Sequence, residues 1–151
     1  MPAAKPAPRI ADDNEATPPI SDAEWVVMTE FWRLGEATAK DVVQALEGRQ
    51  AWKPKTVQTL INRLVQKGAL GFRQQGREYV YLPRVAEDRC VHEASRTFVD
   101  RVFGGKLAPL LACFLERQEC TPAELEEMRK LLELQQKPLS QQNKPAPEKQ
   151  S

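Results

Sequence analysis

Between residues 54 and 82 the chain changes its hydrophobic period once, and that change limits the folds open to it. Val57, Leu60, Ile61, Leu64 and Val65 recur at helical spacing, so this stretch buries one stripe of an α-helix. Pro54 suits the first turn, where a missing N–H costs nothing, and Gly68 suits the stop. Directly beyond, residues 70–74 and 77–82 are strand-like, enriched in Phe72, Tyr79, Val80 and Tyr81, with Gln75 and Gly76 offering the turn between them. It is the best amphipathic helix pattern in the chain, and a hairpin follows it at once.

Two helices precede it. Ser21 can cap the first, with Glu24 three residues on reaching back to complete a capping box. Trp25, Met28, Phe31 and Trp32 supply its apolar stripe and Gly35 closes it. Thr38 can cap the second, whose inner face carries Val42, Val43 and Leu46, with Asp41 well placed near the positive helix start and Gly48 as the stop. Three helices and then a hairpin, over residues 20–84, is the chain order of a winged helix-turn-helix.

The flanks read differently. Residues 1–19, with five prolines, and residues 137–151, with Pro138, Gln141, Gln142, Pro145 and Pro147, lack the apolar content that offsets ordering entropy, so both are expected to be disordered. With 151 residues and 41% hydrophobic content, the chain can bury one ordinary core, and a further module has to lean on a partner. No apolar run near the start reads as a secretory signal and none later is long enough to span a bilayer, so the expected location is the cytoplasm. Three cysteines and one histidine make neither a disulfide framework nor an obvious metal site, and no cofactor is expected. There is no glycine-rich phosphate loop and no plausible catalytic pair involving the lone histidine, which argues against an enzyme.

Net charge is only +1, yet every charged residue from 49 to 77 is basic: Arg49, Lys53, Lys55, Arg63, Lys67, Arg73 and Arg77. Acidic residues gather instead in the first two helices and after Arg84, leaving a one-sided field over the third helix and the hairpin. The outward positions of that helix are Lys55, Thr56, Gln58, Thr59, Asn62 and Arg63, a mixture of donors and acceptors rather than the Lys/Glu alternation of a solvated face. Gln58 and Asn62 can pair two-pronged with adenine, Thr56 and Thr59 can serve bases or phosphates, and a major groove admits a helix. Lys55 and the helix start suit phosphate, Lys53 and Lys67 belong to the same DNA-binding set, and Arg73 and Arg77 would bring the hairpin to the backbone or a neighbouring minor groove as a wing. Double-stranded DNA is the expected partner. A winged helix can also serve as a protein-interaction module, but no exposed apolar patch on the third helix favours that use.

The residues Ser21-Asp22-Ala23-Glu24-Trp25-Val26-Val27-Met28, then Trp32, then the run from Trp52-Lys53-Pro54-Lys55-Thr56 through Leu64, and finally Lys67-Gly68, resemble the penicillinase repressor (BlaI/MecI/CopY) family. The resemblance runs from about residue 20 to 132. It implies a homodimeric repressor on a palindromic operator, controlling genes such as those for β-lactam resistance or copper handling. It also puts the DNA-contacting surface on Lys55, Thr56, Gln58, Thr59 and Arg63, with wing contacts near Arg73 and Arg77. Lys53 stands where many members have a serine or threonine able to cap the recognition helix.

Residues 85–136 read as further helices forming a dimerisation arm. Phe98, Val102 and Phe103 precede Gly104-Gly105, and Leu107, Leu110, Leu111, Phe114 and Leu115 follow. Thr121 and Glu124 make another capping box, opening a helix with Leu125, Met128, Leu131 and Leu132. These stripes exceed the partners one chain offers, so they are expected to pair with a second subunit; a folded-back monomeric bundle is the alternative. In the family's β-lactam systems a protease triggered by a membrane sensor cuts within this arm, and the aligned bond here is Cys113–Phe114. A copper- or redox-responsive repressor of the same fold is the other reading, although Cys90, His92, Cys113 and Cys120 are too scattered to read as a closed metal site.

Overall fold

In a computed structural model, residues 17–142 are described, with side chains to residue 136. The chain divides into two compact units, Met1–Thr97 and Phe98–Ser151. The first holds helices α1 (Asp22–Leu34), α2 (Ala39–Leu46) and α3 (Pro54–Gln66) with strands β1 (Ala37–Thr38), β2 (Leu70–Gln75) and β3 (Glu78–Pro83). Helix α4 (Glu87–Phe103) carries the chain into the second unit, which holds α5 (Leu107–Glu116) and α6 (Pro122–Gln142). This is the winged helix with a helical arm that the residue pattern predicts.

The helix starts follow from local chemistry. The Glu24 N–H donates to Ser21 Oγ at 3.2 Å and the Ser21 N–H to Glu24 Oε1 at 3.1 Å, a reciprocal box that satisfies two otherwise orphaned donors. Thr38 and Asp41 repeat it at α2, and Thr121 and Glu124 at α6. At the other end of α3, the Ala69 N–H donates to Leu64 O at 2.9 Å and the Gly68 N–H to Val65 O at 3.0 Å. Gly68 sits at φ 83°, the left-handed conformation this double closure requires and glycine adopts without a Cβ penalty. The chain therefore turns at once from α3 into β2.

The sheet has three strands in the order β1-β3-β2, all antiparallel. The hairpin alone is predicted from sequence; β1 is an addition, two residues pairing Ala37 with Tyr81 and Thr38 with Val80. The turn also shifts by one residue. Gln75 pairs with Glu78, so the two-residue loop is Gly76-Arg77, not Gln75-Gly76, with Gly76 at φ 63° as its first residue.

The first unit's core gathers Val27, Met28 and Phe31 from α1, Val42 and Leu46 from α2, and Val57, Leu60, Ile61 and Leu64 from α3. Leu70 and Tyr81 close it from the sheet, and Val85 and Cys90 join from beyond β3. Trp32 Nε1 donates to the Val85 carbonyl at 2.9 Å. The first unit thus reaches past the predicted boundary at residue 84, because Val85 and Cys90 are core residues and the division falls after Thr97. Two other predicted limits move as well. The Thr17 N–H and hydroxyl both bond the Glu93 carboxylate, so the last residues of the predicted 1–19 tail are anchored. Helix α6 runs to Gln142, past the predicted limit at 137. Residues 1–16 and 143–151 of the two predicted tails lie outside the described residues.

In the second unit, Val99 is the one buried side chain among the described residues. Helix α5 has none, although most of its residues are apolar. Phe98, Val102, Leu107, Phe114, Leu115, Leu125, Leu131 and Leu132 are exposed, while Phe103, Leu110, Leu111 and Met128 are half-buried.

Candidate nucleic-acid interface

Helix α3 turns its apolar stripe into the core, and at 100° per residue the remaining positions form one continuous outward arc. Lys55, Thr56, Thr59, Asn62 and Arg63 are exposed on it and Gln58 is half-buried. Gln58 Nε2 donates to Asn62 Oδ1 at 2.9 Å and to the Tyr81 hydroxyl at 3.3 Å. The Thr59 hydroxyl donates back to the Lys55 carbonyl at 3.0 Å, which leaves its lone pairs outward. Lys53 is the N-cap but makes no side-chain capping bond, so its ammonium stays in solvent beside the helix start.

The seven cations that form an unbroken basic run in sequence do not form one in space. Lys67 Nζ donates to Glu24 Oε1 at 2.6 Å and to the Pro19 carbonyl at 2.9 Å, tying the end of α3 to the start of α1. Burial alone would raise the Glu24 carboxyl, but hydrogen bonds from Lys67 and Ser21, with the lysine charge, hold it below the ordinary carboxylate value. Arg49 pairs with buried Glu30, which Arg33 also holds at 2.8 Å, and that carboxyl is likewise kept low against its burial. Arg73 reaches Glu36 at 2.7 Å. Lys53, Lys55, Arg63 and Arg77 have no ion pair among the described residues.

Strand register separates the two wing arginines. Phe72 pairs with Tyr81 and Gln74 with Tyr79, so these four share one face of the hairpin, while Arg73 opposite Val80 is on the other. Arg77 occupies the loop itself and is exposed at the tip. The aromatic face and α3 enclose a cleft of about 300 Å³ lined by Asn62, Val65, Gln66, Phe72, Tyr79 and Tyr81. Its rings pack edge-on, Phe72 to Tyr79 at 5.5 Å between centroids.

The predicted contacts Lys53, Lys55, Thr56, Gln58, Thr59, Asn62 and Arg63 are thus brought together on one helix, with Arg77 at the tip of the adjoining hairpin. Lys67 is a correction: its ammonium is already engaged by a buried carboxylate. Arg73 lies on the far face by strand register and pairs there with Glu36. The Tyr81 hydroxyl is the polar group that sequence reading passed over, because a tyrosine in a strand-like run reads as core.

Other chemistry is sparse. Among the described residues no group of three or more His, Cys, Asp and Glu side chains could hold a metal ion. Burial pushes the Cys90 thiol up to about 11, which keeps it protonated; Cys113 is exposed and Cys120 half-buried. No helix among the described residues is long and apolar enough to cross a membrane.

Residues 20–134 match the family model described as penicillinase repressor. The penicillinase repressor of Bacillus licheniformis is 35% identical over 116 residues, covering 77% of this chain and 91% of that protein. The methicillin resistance regulatory protein MecI of Mammaliicoccus sciuri is 32% identical over 120 residues, covering 80% and 97%. A solution structure of the monomeric form of Bacillus licheniformis BlaI in complex with the blaP half-operator is 39% identical, covering 49% of this chain and 90% of that one with a TM-score of 0.44. The chain belongs to the penicillinase repressor family, and by that membership is a DNA-binding repressor rather than an enzyme.

Proposed function

We propose that two copies of this chain repress transcription from a palindromic operator, each lodging α3 in a major groove and setting the Gly76-Arg77 tip against the adjacent backbone. The observation that carries this reading is the outward arc of α3, where hydroxyls and amides lie between cations that no carboxylate has claimed. Lys53, Lys55, Arg63 and Arg77 supply phosphate contacts, and Thr56, Gln58, Thr59 and Asn62 meet base edges. Arg73 joins them by giving up its exposed pair with Glu36, a bond worth less than about 1 kcal/mol. Lys67 remains with Glu24.

Pairing through the second unit supports this geometry. The twelve side chains named for it, from Phe98 to Leu132, lie exposed or half-buried in a single chain, and a second copy gives them somewhere to go. Two recognition helices about 34 Å apart then enter successive grooves on one face of the duplex. The repressor works in the cytoplasm. The regulated genes are those of β-lactam resistance, in keeping with what the names of its relatives say of them.

Relief comes through proteolysis in the arm at Cys113–Phe114, by a membrane sensor protease or one acting downstream of it. The bond lies near the end of α5, with both side chains exposed, and a protease that takes extended substrate has only that last turn to unwind. The turn ends at Gln118, a non-glycine residue at φ 57°, a conformation that an L side chain holds at a cost. Exposing cells to a β-lactam should yield a fragment ending at Cys113; an intact chain in fully induced cells excludes this route.

Band-shift titrations test the central reading, using genomic fragments recovered with the protein and scrambled duplexes of equal length. Lys55→Ala and Arg63→Ala should weaken binding to both, whereas Gln58→Ala should mainly narrow the gap between them. Equal binding of wild type to recovered and scrambled fragments rules out sequence-specific repression.

A further inference from the structure

The half-buried amide of Gln58 has both of its N–H groups engaged, one by Asn62 and one by the Tyr81 hydroxyl. Tyr81 is a fixed anchor for that bond. It is 7% exposed, sits between Ala37 and Phe72 in the sheet, and packs edge-on against Phe31 with ring centroids 6.1 Å apart. Its hydroxyl therefore meets α3 from the wing side as part of the folded core, not as a mobile surface group.

We infer that Tyr81 is a positioning residue for base recognition, holding the Gln58 side chain in one place on the outward arc of α3, against Asn62; the inference rests on the DNA-reading role proposed for α3. A hydroxyl both donates and accepts, so this bond fixes where the amide sits and which rotamer Gln58 keeps. Tied to a core tyrosine and to Asn62, Gln58 brings its remaining hydrogen-bonding capacity to one base position instead of sampling several. Without the Tyr81 hydroxyl, the Gln58 side chain can swing away from that place and tolerate more than one base edge.

The test is selection by the full-length protein from a duplex pool with a randomised core, comparing wild type with Tyr81→Phe, which keeps the ring and removes only the hydroxyl. Wild type should enrich a two-fold motif, and Tyr81→Phe should lose roughly five- to tenfold in preference at one position per half-site, leaving the other positions intact. In a Gln58→Ala background the same substitution should change nothing further. That non-additivity is the signature of action through Gln58, and a merely structural role would not produce it. If wild type enriches a motif and Tyr81→Phe retains it unchanged, or blurs every position together with a lowered melting temperature, the positioning role is wrong while the repressor reading stands. If wild type enriches nothing, the repressor reading itself fails.

Discussion

Glu24 keeps both carboxylate oxygens out of water, and one of them, Oε2, has no hydrogen-bond partner. Such a group is tolerable only because Lys67 and Ser21 hold the other oxygen. Lys67→Met removes the cation and leaves a buried carboxylate behind, so it should cost roughly 2 kcal/mol, less than for a fully enclosed pair because the lysine is itself partly in water. Thermal unfolding of the full chain would register this, while DNA binding by the folded fraction should hardly change. Glu24 and Glu30 both ionise more readily in the folded chain than in the unfolded one. Their stabilising contribution is therefore complete above the unfolded carboxylate value near 4.5 and is lost as pH falls through the lower folded values. Melting midpoints should stay level with respect to these two groups from neutrality to about pH 5 and drop below pH 4.5, and Glu24→Gln should flatten part of that drop. These pairings could not be read in the sequence. Arg49, Lys67 and Arg73 meet their acids 19, 43 and 37 residues away, across contacts that only the assembled core creates.

At the scale of elements, what was legible depended on how local its cause is. Three capping boxes span four residues each, so Ser21, Thr38 and Thr121 announce their helices before anything has packed. Helix α3 shows itself through its stripe and its glycine stop. Strand β1 does not: two residues are too few to display a period, and Thr38 is also the cap of α2. The hairpin turn lies one residue beyond its sequence expectation because Gln-Gly and Gly-Arg are both acceptable loops until the register of β2 on β3 decides. Helix α3 is also the element whose start is least well made, with Lys53 as an N-cap that bonds nothing. Lys53→Ser should raise stability by about 1 kcal/mol through capping. The same change removes the phosphate contact proposed for Lys53, so the melting temperature should go up as DNA affinity goes down. A variant that gained stability and kept its affinity in full would remove Lys53 from the interface.

For the whole molecule, the pairing of cations sets how binding responds to salt. If all seven basic residues of the run met phosphates, a dimer would displace counterions with a slope of about 13 in log affinity against log salt. With only Lys53, Lys55, Arg63 and Arg77 committed, the slope falls to about 7, and to about 9 if Arg73 also leaves Glu36. A titration across salt concentrations distinguishes these cases. The same accounting explains why a chain with net charge +1 can hold a polyanion: the acids neutralise cations at the back of the fold and leave those on α3 and the tip alone.

Among the described residues Val99 is all that the second unit shields from water, so an arm without the proposed partner copy has almost nothing to hold its shape. On the proposed pairing, two copies must meet before either can grip both halves of a site, and at low abundance occupancy rises with the square of the chain's concentration. Dilution as a cell grows and divides would then become a signal in its own right. Halving the number of copies lowers occupancy about fourfold in that regime, so genes under this control would reawaken whenever synthesis of the protein lags behind growth.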